Sequence, residues 1–143
     1  MESDTIKLLK ECNAGCKTAT NSMEQVKDKI ENECLSHLID YNNKKHIEIG
    51  DRCHELLNKL DKDEKDPPAS AKMFTFMSTE IKLMMNSDTS TIAKIMFKGC
   101  NMGVEKLSEY LNDYKDASPE SKSLVKELIA TEETFAEKLK EFL

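Results

Sequence analysis

Apolar residues recur at alternating three- and four-residue spacings along four separate stretches of this chain. The first stripe is Leu9, Cys12, Cys16, Ala19, Met23, Val26 and Ile30. The second is Leu35, Ile39, Asn42, His46, Ile49, Cys53, Leu56 and Leu60. Ala93, Met96, Cys100, Gly103, Leu107, Tyr110 and Tyr114 form another, and Val125, Leu128, Glu132, Phe135, Leu139 and Phe142 the last. Spacing of this kind puts each set on one face of a helix, and each such face needs another element to cover it. With only 4 Gly and 3 Pro in 143 residues, a β-sandwich or a loop-rich fold is excluded. The length suits one domain with a core of its own. The expectation is an all-α bundle spanning residues 1–143 as a single domain.

The punctuation of the sequence sets the element boundaries. Helices are expected at about 4–30, 33–61, 69–86, 89–115 and 119–142, with a tight reversal near Glu31 to Glu33. Asp61 to Asp66, followed by Pro67 and Pro68, reads as a charged loop. Asp88 or Thr89 caps the helix that follows. Ser118 then Pro119 reads as an N-cap and first helical residue. Short turns make two antiparallel helix hairpins. Residues 61–88 are long enough to run the height of a bundle about 40 Å tall at ~1.5 Å rise per residue, giving a long crossover with its own short helix. In that topology Cys16, Asn42, His46, Cys100 and Glu132 fall near the middle of the bundle.

A net charge of -6 excludes a general nucleic-acid binder, which needs a basic face to meet phosphates. Of the 21 basic residues only Arg52 is an arginine, the side chain favoured for bidentate phosphate recognition. The 5 Cys are an odd number, read as free thiols in a reducing, cytoplasmic setting. Met1-Glu2-Ser3-Asp4 is acidic and no apolar segment follows it, so no signal peptide is expected. No run approaches the roughly 18 apolar residues of a membrane span.

The N-terminal hairpin, the connector and the C-terminal half resemble the ferritin-like superfamily, in particular small bacterial ferritin-like proteins of unassigned function. The residues that carry the resemblance are Lys98-Gly99-Cys100-Asn101-Met102-Gly103-Val104-Glu105-Lys106-Leu107 and Glu109-Tyr110-Leu111, followed by the last helix. The resemblance implies a four-helix bundle of the rubrerythrin and ferritin type. Members that oxidise or store iron place a glutamate on each of two helices and Glu-x-x-His on the other two, holding two irons. Here Asn43 stands three residues before His46, and Phe135 three residues after Glu132. The first helix offers Cys12, Asn13 or Cys16, with Glu11 off the stripe. The third long helix offers Gly99, Cys100 and Gly103, with Glu105 a turn away. The implied protein lacks a complete di-iron centre and a catalytic residue. It acts as a structural or interaction protein, with protein partners or a second copy of itself, in the stress or dormancy of a bacterium.

Two readings of the mid-bundle residues stay open. In one, His46 and Glu132 satisfy each other inside the core, where an unpaired charge is costly, and no cofactor is needed. In the other, His46, Glu132, Cys16 and Cys100 hold iron or zinc, or thiolates with His46 hold copper(I). Free cysteine also packs as a small hydrophobe. Cys34, at a helix start, is the expected reactive thiol. His37 and His54 read as surface residues, and neither lies in a phosphotransfer pattern. Met73, Met77, Met84 and Met85 on the connector either shield the bundle or form a homodimer interface.

Overall fold

The computed structural model describes residues 2–60 and 88–143, and they form four long helices. The helices are α1 (Glu2–Val26), α2 (Glu33–Lys59), α3 (Thr89–Asp113) and α4 (Pro119–Leu139). Short 3-10 segments follow α1 at Lys27–Lys29 and α4 at Lys140–Phe142. The described residues contain no strand. The expected connector helix at 69–86 and its methionines lie outside the described residues.

Side-chain caps fix where three helices begin. Asn32 Oδ1 accepts from Leu35 N at 2.9 Å, starting α2 directly after the reversal. Asp88 Oδ1 accepts from Thr91 N at 2.7 Å, and this bond together with the Thr91 side chain holds the Asp88 carboxyl below its ordinary pKa. Ser118 Oγ accepts from Ser121 N at 3.2 Å, with Pro119 in the first turn. Each cap satisfies a backbone donor with no partner inside its helix. Asn32→Ala is expected to cost about 1 kcal/mol in urea unfolding.

The first helix ends earlier than its stripe suggests. The chain tightens to 3-10 after Val26, and Ile30 takes extended backbone (φ -88, ψ 116). Ile30 still packs against the core, so an apolar residue kept the stripe in phase after the helix had stopped.

Helix α1 packs along α2, and α3 along α4. Helix α4 also packs on α2, and α1 on α3, which closes the four sides. Ser118 N donates to Thr5 Oγ1 at 2.8 Å and Asp116 N to Asp4 Oδ2 at 3.1 Å. The α3–α4 turn therefore sits beside the start of α1, at the end of the bundle where α2 finishes. Helices α2 and α3 consequently run in the same direction.

The core falls into two apolar halves. One contains Met23, Leu35, Ile39, Ile92, Met96, Phe135 and Leu139. The other contains Leu8, Leu9, Ile49, Leu57, Leu107, Leu124 and Leu128. Buried polar side chains lie between them, among them Thr18, Ser22, Asn42, His46 and Glu132. No helix among the described residues is long and apolar enough to cross a membrane.

Candidate functional site

The middle of the bundle is organised by His46 from α2 and Glu132 from α4. Their relative exposures are 1% and 6%. His46 Nδ1 lies 2.6 Å from the carbonyl oxygen of Asn42, one turn earlier. A carbonyl only accepts, so Nδ1 carries the proton and donates. His46 Nε2 meets Glu132 Oε1 in a direct hydrogen bond. Two acceptors cannot share that contact without a proton, so one proton lies between ring and carboxyl. Burial pulls the His46 pKa down, but the charge of Glu132, its hydrogen bond and the Asn42 carbonyl together raise it above its ordinary 6.5. The pair carries no net charge, and the raised pKa of the ring favours imidazolium against carboxylate.

Helix α3 closes the other side of Glu132. Burial pushes the Cys100 thiol pKa up, and the charge of Glu132 and a hydrogen bond to it push it further. The thiol stays protonated and donates to the carboxylate. A thiol in this state is not a nucleophile. The carboxylate stands between thiol and imidazole, the reverse of an arrangement in which an imidazole activates a sulfur.

Gly103 shapes the same spot by lacking a side chain. A Cβ there would lie 3.1 Å from Glu132 Oε2, a carboxylate that His46 and Cys100 hold in place. Gly103→Ala gains about 0.5–1 kcal/mol of helix preference, but overpacking costs about 1–3 kcal/mol. The expected net result is a loss of about 1 kcal/mol in urea unfolding. Gly15→Ala meets Leu128 Cδ2 at 3.9 Å and Leu107 Cδ2 at 4.0 Å, both ordinary contacts. That variant is expected to gain about 0.5–1 kcal/mol in the same measurement.

A cavity of about 40 Å³ lies beside the pair. It has room for roughly two or three water molecules. Gly15, Ser22, Met96, Gly99 and Phe135 help to line it together with His46, Glu132 and Cys100.

Of the residues expected to converge, His46, Glu132 and Cys100 do so, and Asn42 joins through its backbone. Cys16 does not. It belongs to the other half of the core, with Cys12, Cys53 and Ile49. A Cβ on Gly50, one turn beyond His46 on α2, would lie 3.5 Å from Cys16 Cβ. Helical side chains tilt toward their own N-terminus, so Cys16 leans away from the middle and leaves Gly15, Thr18, Ala19 and Ser22 at the cavity. Cys34 is exposed at the start of α2, as is His37 a turn later, and His54 is half-buried. An ion pair between Arg52 on α2 and Glu127 on α4, both half-exposed, had no signal in the stripes because both residues lie off them.

The di-iron donor set of ferritin-like oxidases does not fit these residues. Glu105 is exposed, and Glu11 is half-buried near Tyr114 rather than at the cavity. Asn43 turns into a groove with Met23, Lys27 and Asp40. Phe135 occupies the cavity wall where an imidazole would be required. Among the described residues no three His, Cys, Asp or Glu side chains converge in a way that could hold a metal ion. Compared with protein-family models, curated proteins and solved structures, the chain matches none.

Proposed function

We propose that this chain is a ferritin-like bundle that works as a structural or interaction protein rather than an enzyme. In this reading the place of a metal centre is taken by the His46–Glu132 pair. The observation that carries it is the saturation of the His46 ring. Both ring nitrogens of His46 are engaged, by Asn42 O and by Glu132. Glu132 also receives the Cys100 thiol. A ring with both nitrogens engaged has no lone pair left to give a metal. The common direction of α2 and α3 supports the ferritin-like connection, because a chain leaving α2 at one end must reach α3 at the other. The chain then acts through its outer surface, on protein partners or a second copy.

The test is the metal content of untagged protein purified without chelator, beside His46→Ala and Glu132→Ala. The expected result is no iron or zinc that depends on either residue, with both variants less stable than the parent. Near-stoichiometric iron or zinc that disappears in both variants overturns the reading and makes the pair a ligand set.

A further inference from the structure

The other half of the core holds a separate cluster of thiols. Cys12 and Cys16 stand one turn apart on α1, and Cys53 meets them from α2. The Cys12 thiol hydrogen-bonds with both Cys16 and Cys53. Cys12 and Cys53 are wholly buried and Cys16 is 3% exposed. Gly50 lets the two helices approach at this level. Leu9, Leu57 and Leu124 surround the cluster with aliphatic bulk. Arg52, the chain's single arginine, acts electrostatically on Cys12 and on Cys53 alike.

We propose that Cys12 and Cys53 form a two-coordinate site for monovalent copper. Thiolates are soft donors and select soft ions. Zinc takes four ligands, and among the described residues no group of three or more His, Cys, Asp or Glu is arranged so that it could hold a metal ion. A monovalent soft ion is satisfied by two. Two metal–sulfur bonds of about 2.3 Å span a gap only slightly longer than a thiol–thiol hydrogen bond. The helices therefore need to move little to admit the ion.

The balance of the binding step is simple. Each thiol gives its proton to solvent, and Cu⁺ forms one bond to each sulfur. Neither copper nor sulfur changes oxidation state. The pair passes from neutral to one negative charge, which Arg52, itself paired with Glu127, offsets in part. The hydrogen bond with Cys16 at Cys12, the hydrogen bond with Cys12 at Cys53, and burial at both hold the protons tightly, so the ion has to displace them and binding tightens as pH rises.

The test uses the whole reduced chain under anaerobic conditions. Copper(I) is supplied as its acetonitrile complex and challenged with bathocuproine disulfonate. One copper per chain is expected to survive the challenge. Its X-ray absorption spectrum should show a shell of two sulfurs, a result that needs no variant. Cys12→Ser and Cys53→Ser should each weaken retention by more than about 100-fold, beyond what a supporting residue contributes. Arg52→Gln should weaken it by about 10-fold, the effect of an outer-shell group. Cys34→Ser, Cys100→Ser and His46→Ala should retain copper as the parent does, which keeps this site distinct from the His46–Glu132 pair. Complete transfer to the chelator from the parent chain overturns the proposal. So does a shell containing nitrogen or oxygen, or copper lost in Cys34→Ser.

Discussion

Glu132→Leu is expected to destabilise the fold by about 3–5 kcal/mol, because it strips the buried His46 ring of its charge partner and leaves Nε2 without a hydrogen bond. That is a large share of the ~5–15 kcal/mol that holds a domain of this size. Urea unfolding measures the loss as a midpoint shift at unchanged slope. His46→Leu strands the carboxylate instead and should cost a similar amount. The double variant His46→Leu with Glu132→Leu should recover most of the loss, since two apolar side chains replace a pair whose members cost desolvation energy to bury. A double variant as unstable as the sum of the singles would show that the two residues act independently. The coupling carries a pH signature. The folded state holds the His46 proton more tightly than the unfolded chain does, because Glu132 raises the ring's pKa. The stabilisation is full below the ordinary value of 6.5 and is lost as pH climbs through the raised folded value. The coupling energy from the cycle is therefore expected to be larger near about pH 6 than near about pH 9.

Phe135→Ala is the second large effect. Phe135 is buried at 3% exposure, packs with Met23, Leu35 and Met96, and lines the cavity beside Glu132. Truncation removes a whole ring from a place that already holds a void of about 40 Å³. Helices on four sides limit collapse, so the expected cost is about 3–5 kcal/mol in urea unfolding. Phe135→Leu, which fills most of the same space, should cost about 1 kcal/mol. The contrast separates packing from any role for an aromatic ring. Equal losses in both variants would mean that the site demands the ring itself.

The helices were legible because their cause is local. The apolar faces, the Asp88 and Ser118 caps and the proline at 119 each act within a turn or two, and all are written in residue type and spacing. His46 and Glu132 were legible for a different reason. A titratable residue on an otherwise apolar stripe has to be buried, and a buried one has to be paired. The position of Cys16 was not legible. Stripe membership shows that a residue faces the core, but not which layer it reaches. That depends on the tilt of the Cα–Cβ bond and on how the two helices line up across their turn, which places Cys16 level with Gly50. Arg52 and Glu127 sit on polar faces, where spacing carries no information about which helix lies opposite. Gly103 looked like one more small residue on a stripe. Its meaning comes from the carboxylate of a helix that follows later in the chain.

The state of one ring decides whether the bundle's centre is an ion pair. A long-range proton–nitrogen NMR spectrum of His46, followed across pH on the metal-free chain, reports both ring nitrogens at once. The account predicts that both are protonated at neutral pH and that the ring titrates above 6.5. A ring that carries its proton on Nδ1 alone at neutral pH, or that titrates below 6.5, would contradict it.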